Sequence, residues 1–291
     1  MARPQKSSTA ERPPLLGAHM SIAGGPAKAL ERGRSVGCTA IQMFVKNNMQ
    51  WFAKDLTAAD LKAFAAFSDP PEIVFGHTSY LINLCATDSI TFERSRLALR
   101  AELERADQLK LPFLVLHPGA HVGQGMEAGL KRISESLNFV FSALPKGRCK
   151  IALEVTAGQG SAIGSKFAEL AAVIASCRYP KRLLVCLDTA HLFAAGYDIS
   201  TAKGFWNMFA EFEKQIGSAR LAAWHLNDSK AGLGSRVDRH EHIGKGKLGL
   251  APFREIMRAE QFKRIPKVLE TPKGEDLAED RENLAVLRGL L

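Results

Sequence analysis

Along this 291-residue chain, short apolar runs alternate with longer stretches that are apolar on one side only. Eight such runs stand out: LLGAHM (15–20), AIQMFV (40–45), EIVFGH (72–77), FLVLHP (113–118), IALEV (151–155), LLVCLD (183–188), LAAWHL (221–226) and KVLET (267–271). Each is too short for an ordinary helix, and most are rich in Val, Ile, Leu or Phe. Strands buried on both faces of a parallel sheet read this way. The segments between them have helical spacing. PAKALERGRSVG opens on Pro26, suited to a first helical turn, and closes on Gly37, suited to a helix end. TFERSRLALRAELERADQLK is charged on one side and rich in Leu and Ala on the other, and SKFAELAAVIASC and GFWNMFAEFEKQIG behave alike. Eight strand–helix units in about the ~250 residues usual for the fold predict a TIM-type (β/α)8 barrel. An open doubly wound sheet usually carries fewer strands.

The barrel is expected over residues 15–291 as one catalytic domain, because no linker divides the chain. Residues 1–14 (MARPQKSSTAERPP) are expected to form a disordered tail; they lack the apolar middle of a secretory signal. Hydrophobic residues make up 46% of the chain, which excludes general disorder. Lys and Arg outnumber Asp and Glu by 39 to 30, a net +9 that favours an anionic partner, nucleic acid first. The five cysteines form no C-x-x-C pair, which speaks against a disulfide framework or a thiolate zinc site and for a reducing compartment. No apolar run is long enough to span a bilayer.

The polar residues that close the runs are regularly placed. His19 lies near the end of the first, and the third to eighth end at His77, His117, Glu154, Asp188, His225 and Glu270. From His77 onward the intervals are 40, 37, 34, 37 and 45 residues, the length of one strand–helix unit repeated. In a barrel the C-terminal strand ends converge on one mouth, where such enzymes keep their active sites. One His or carboxylate at a strand end is ordinarily a hydrogen-bonded structural residue or a helix cap. Six in succession would crowd costly charge into one cavity unless cations paired it. Imidazole and carboxylate without thiolate suit zinc, manganese or iron.

Two local spacings add to this. LDTAHLF separates Asp188 from His191 by three residues across a strand-to-helix turn, and VDRHEH puts Asp238 and His240 two apart, on one side if extended. His191, Asp238 and His240 make a separate set of three. The other six suffice for two more metals if one carboxylate bridges. Spacing alone leaves His242 as eligible as His240, while Glu241 alternates to the other side. A close pair of metals clamps the attacking and leaving oxygens of a phosphoryl group. That gives the basic charge a purpose: a phosphodiester partner.

The motifs GAHMSIAGG, HTSYLINL, LHPGAH, LEVTAGQGS, LDTAHLFAAGYDI, WHLNDSK, SRVDRHEHIGKGKLG and LETPKG follow one another across residues 15–290. Together they resemble the endonuclease IV family, zinc-dependent apurinic/apyrimidinic endonucleases of base excision repair. The resemblance implies a TIM-type barrel holding about three metal ions, usually Zn2+, with Mn2+ able to substitute. By position, His77, His117 and Glu154 would hold the first, and Glu154 would bridge to a second held also by Asp188, His225 and Glu270. His191, Asp238 and His240 would hold the third, which favours His240 over His242. The implied reaction is hydrolysis of the phosphodiester 5′ to an abasic site, leaving a 3′-hydroxyl, with removal of blocking groups from 3′ ends. Glu154 and Glu270 would be catalytic as well, orienting or deprotonating the nucleophile. The implied partner is double-stranded DNA with abasic or 3′-blocked sites, bound by a monomer that is cytoplasmic and nucleoid-associated. Candidate DNA contacts are Asn47, Met49, Tyr80, Leu81, Arg239, Lys245 and Lys247, with Lys46 and Lys230 as further phosphate-binding cations.

Two positions depart from the family pattern. Met49 in FVKNNMQW stands where well-known members carry an Arg that enters the base stack, although Met too serves as an apolar wedge. Val155 follows Glu154 where Asn is common. Two other readings remain open on residues alone: a sugar isomerase or epimerase, with fewer metals on the same barrel, and a non-catalytic binder of damaged DNA.

Overall fold

The computed structural model describes residues 13–291. The tail expected at residues 1–14 therefore lies, for residues 1–12, outside the described residues. Eight parallel strands close into a barrel: β1 Leu16–Met20, β2 Ala40–Phe44, β3 Ile73–His77, β4 Phe113–Leu116, β5 Lys150–Glu154, β6 Leu183–Asp188, β7 Leu221–His225 and β8 Lys267–Leu269. The ring closes where β1 pairs with β8, with Leu16 opposite Lys267 and Ala18 opposite Leu269. Close approach has a sequence cost at β1: a Cβ on Gly17 would lie 1.7 Å from the Ala40 carbonyl oxygen. This is the (β/α)8 barrel the apolar runs predict.

Outer helices follow the strands, among them α1 Pro26–Ser35, α2 Ala58–Ala65, α3 Ser89–Gln108 and α4 Met126–Ala143. Local chemistry sets their starts. Pro26 opens α1, Thr57 and Asp60 form a reciprocal capping box on α2, and the Asp88 carboxylate accepts from the Thr91 N–H at the start of α3. Outward-facing strand residues such as Met20, Ile41, Leu114 and Leu153 pack against the helices in a continuous apolar layer. Inward-facing residues form a separate filling of Leu15, Ala40, Phe75, Phe113, Val115, Ala152, Cys186, Ala223 and Val268. Two large rings, Phe75 stacked on Phe113 at 4.7 Å, stand among small side chains, so the interior is packed rather than open. No helix among the described residues is long and apolar enough to cross a membrane.

Candidate metal centre

Strand alternation places the donors. Residues two apart share a face, so His77 shares its face with Phe75, His117 with Val115, Glu154 with Ala152, Asp188 with Cys186 and His225 with Ala223. The apolar members of these pairs fill the barrel interior. Their polar partners form the next layer, at the C-terminal mouth.

Glu154 occupies the middle of this layer and is fully buried. Its Oε2 lies 3.2 Å from His77 Nε2 and 3.0 Å from His117 Nε2, and its Oε1 lies 2.8 Å from His225 Nδ1. Glu270 Oε2 is 3.1 Å from the same His225 nitrogen. Asp188 Oδ2 stands between two groups, 3.8 Å from His225 Nδ1 and 3.7 Å from His240 Nε2. Asp238 lies 3.2 Å from His191 Nε2 and 3.3 Å from His240 Nε2. Three sets have donor atoms within 4.8 Å of one another and could each hold a metal ion: His77, His117 and Glu154; Glu154, Asp188, His225 and Glu270; Asp188, His191 and His240. All nine expected donors thus converge. Asp188 falls in two sets rather than one, and Asp238 adjoins the third.

The imidazoles are oriented from behind. Nδ1–H of His77 donates to the Thr78 carbonyl at 2.7 Å, that of His191 to the Val155 carbonyl at 3.0 Å, and that of His240 to the Glu270 carbonyl at 3.1 Å. Each pairing turns Nε2 toward the carboxylates, which is how metal-binding imidazoles are usually held. Nε2 of His191 and of His240 is buried without a hydrogen-bond partner. Leaving such an atom unpaired costs ~1–3 kcal/mol, and a cation between the two rings and Asp238 removes that cost. The donor set therefore fits divalent metal on its own geometry.

Charge in the site is strongly coupled. Burial opposes ionisation of Glu154, yet His225 and His117 hold its carboxyl well below the usual range. Burial likewise works against Asp238, and the adjacent His191 imidazole prevails, bringing it to about 2. Burial disfavours protonation of His191, but Asp188 and Asp238 raise it well above the ordinary imidazole value. Protons and divalent cations compete for these donors, so metal binding releases protons and weakens as pH falls.

Residue reasoning missed three supporting side chains. Gln42 lies between His19, His225 and Glu270. Asn227 donates to Asp188 Oδ2 at 2.6 Å and accepts from the Glu270 N–H at 2.8 Å. Asp228 accepts from the backbone N–H groups of Gly244, Gly246 and Leu248, folding the Gly-Lys loop around a buried carboxylate. A Cβ on Gly246 would come within 2.4 Å of that carboxylate. The available signal was a polar residue inside an apolar run (Gln42) or beside a donor in WHLNDSK.

The segment 238–242 separates its two histidines. His240 faces the donor cluster, whereas His242 Nδ1 meets Asn283 Nδ2 at 3.1 Å, away from it. Glu241 is partly buried with Lys230 Nζ 3.9 Å away. Around the mouth, Met49 is 72% and Tyr80 55% exposed, and Asn47, Arg239, Lys245 and Lys247 are exposed, while Leu81 is half-buried. Tyr80 stands beside His77 and His117 and separates two clefts. One, of about 720 Å³, is lined by His19, Phe44, Asn47, Tyr80, Glu270 and Lys273; the other, of about 320 Å³, by Tyr80, His117, Gln159, His191 and Asp238. Lys46 corrects an expectation. It is buried, with its ammonium 3.0 Å from Glu102 and donating to the Gln50 carbonyl, so it is not a surface phosphate contact.

A closed parallel barrel with imidazoles and carboxylates converging at its C-terminal mouth defines a metal-dependent barrel enzyme. Residues 30–290 match the family described as xylose isomerase-like TIM barrel. Within it, the chain belongs to the endonuclease IV family of metal-dependent apurinic/apyrimidinic endonucleases. It is 49% identical over 278 residues to the probable endonuclease 4 of Geobacter sulfurreducens, covering 95% of this chain and 94% of that one. Probable endonuclease 4 of Chloroflexus aggregans is 49% identical over 280 residues, 96% of this chain and 98% of its own. The crystal structure of endonuclease IV from Thermus thermophilus superposes with a TM-score of 0.84 at 35% identity, over 95% of this chain and 98% of that chain.

Proposed function

We propose that this protein hydrolyses the phosphodiester 5′ to an abasic site in duplex DNA, leaving a 3′-hydroxyl, with a trinuclear centre, and that it also trims blocked 3′ ends. The single observation that carries this is the pair of buried, unpartnered Nε2 atoms of His191 and His240 facing Asp238. That third donor group lies beside a complete two-metal donor set and exceeds what a one- or two-metal sugar isomerase needs. Zn2+ is the expected ion, with Mn2+ as a substitute. Bound divalent cations supply an acidified water and neutralise the charge that develops on the phosphate.

The protein's own residues divide the remaining work. Glu154, close to imidazoles of all three groups, would be the carboxylate shared between ions. Glu270 borders the larger cleft, so it is placed to orient the attacking water or take its proton. His117, His191 and Asp238 border the smaller cleft, where the departing 3′ oxygen and the abasic sugar are held. Tyr80 stands between the two clefts, and with Met49 and Leu81 it fills the space of the displaced base. Asn47, Arg239, Lys245 and Lys247 contact the DNA backbone, and the enzyme acts as a monomer. Cleavage of a duplex with one abasic analogue, beside an intact duplex and a 3′-phosphate duplex, tests this. Metal-dependent incision 5′ to the abasic site supports the reading. Full activity of chelator-stripped protein, or tight abasic binding without cleavage in zinc and manganese, contradicts it.

A further inference from the structure

Gln42 is a fully buried amide in the middle of the apolar strand β2, paired in register with His19 of β1. We propose that Gln42 is a positioning residue that fixes the face His225 and Glu270 present to a bound divalent cation; the proposal rests on the metal-centre reading above.

Donor and acceptor roles fix the orientation of the amide. Glu270 Oε1 lies 2.5 Å from Gln42 Nε2, and an ionised carboxylate only accepts. The amide nitrogen must therefore face Glu270, which turns Gln42 Oε1 toward His225. That oxygen is 2.7 Å from His225 Nε2 and can only accept, so His225 carries its proton on Nε2. A neutral His225 then presents an unprotonated Nδ1 toward Glu154 Oε1 at 2.8 Å and Glu270 Oε2 at 3.1 Å. The amide's second N–H meets His19 Nδ1 at 2.9 Å, so both ends of Gln42 are occupied.

His225 is reversed relative to its neighbours. His77, His191 and His240 have Nδ1 on a backbone carbonyl and turn Nε2 to the site. His225 turns Nδ1 to the site, and its Nε2 is held by a side chain instead. Volume does not explain the choice, since Ile41 and Met43 flank Gln42 and an apolar residue would fill the space without a desolvation cost. One side chain thus sets the tautomer of one donor and the rotamer of another.

Gln42→Met keeps the volume and removes all three hydrogen bonds, to His19, Glu270 and His225. The test loads wild type and variant with zinc and follows release into excess chelator, with melting temperatures of metal-free and loaded protein. Expected is release of part of the metal ~10–100-fold faster than wild type. The metal-dependent gain in melting temperature should shrink while the metal-free protein melts near wild type. If the Met variant does not fold, Gln42→Asn, one methylene too short to span His225 and Glu270, is read the same way. Unchanged release and unchanged thermal gain overturn the proposal. Wild-type protein that retains no zinc overturns the metal-centre reading itself, and is seen before any variant is compared.

Discussion

His225 and Met49 both follow the barrel toward its mouth, yet they are held in opposite ways. His225 is fully buried, with partners at both ring nitrogens and a strand on each side. Met49 is 72% exposed on a loop, its backbone N–H held by the Asn47 side chain. The donor layer takes its geometry from strand register, so each side chain has little freedom left. The rim takes its geometry from loops, and freedom there suits a surface that receives a DNA substrate. A change in the donor layer should therefore act on chemistry, and a change at the rim on binding.

The largest effect is expected at Glu154. Glu154→Gln should lower kcat on abasic duplex on the order of 10³-fold or more, because it removes charge where four imidazoles meet. Single-turnover kinetics with saturating enzyme checks this, and near-normal turnover would break the division between layer and rim. Next comes the support beneath the rim. Lys46 and Glu102 form a buried pair, Glu102 accepts from the Ser79 N–H, and Ser79 Oγ donates to the Asn48 carbonyl, which ties the two rim loops together. Lys46→Met should cost about 3–5 kcal/mol in denaturant unfolding, whereas Lys46→Met with Glu102→Leu should recover most of it.

At the rim itself the expected effects are smaller and change in kind. Met49→Ala should raise KM roughly fivefold, about 1 kcal/mol, with kcat nearly unchanged. A matching fall in kcat would mean that Met49 also positions the scissile phosphate. Smallest is the loss of one exposed cation. Lys245→Ala or Lys247→Ala should reduce the salt slope of duplex binding by about 1 for each phosphate contact removed.

The same contrast explains what the residues revealed. Runs of five or six apolar positions mark the strands, and period-two alternation alone puts His77, His117, Glu154, Asp188 and His225 on one face. His240 and His242 are alike in spacing, and Asn283, 41 residues beyond His242, separates them. Lys46 looks like one more surface cation because its partner, Glu102, belongs to the middle of α3. Gln42 does stand out as a polar residue inside an apolar run, but its partners His225 and Glu270 are 183 and 228 residues away, so its role does not show locally. Local pattern carries a residue's face, but not the long-range pairing that gives the face its chemistry.

Metal content of three preparations decides whether His240, and not His242, helps to hold a third ion. Elemental analysis of zinc-loaded wild type, His240→Ala and His242→Ala, each also assayed on abasic duplex, separates a donor from its near neighbour. The expected result is about three, about two and about three ions per chain, with activity lost in His240→Ala and kept in His242→Ala. Equal metal content in all three, or loss of an ion from His242→Ala instead, would mean that His240 is not a metal ligand.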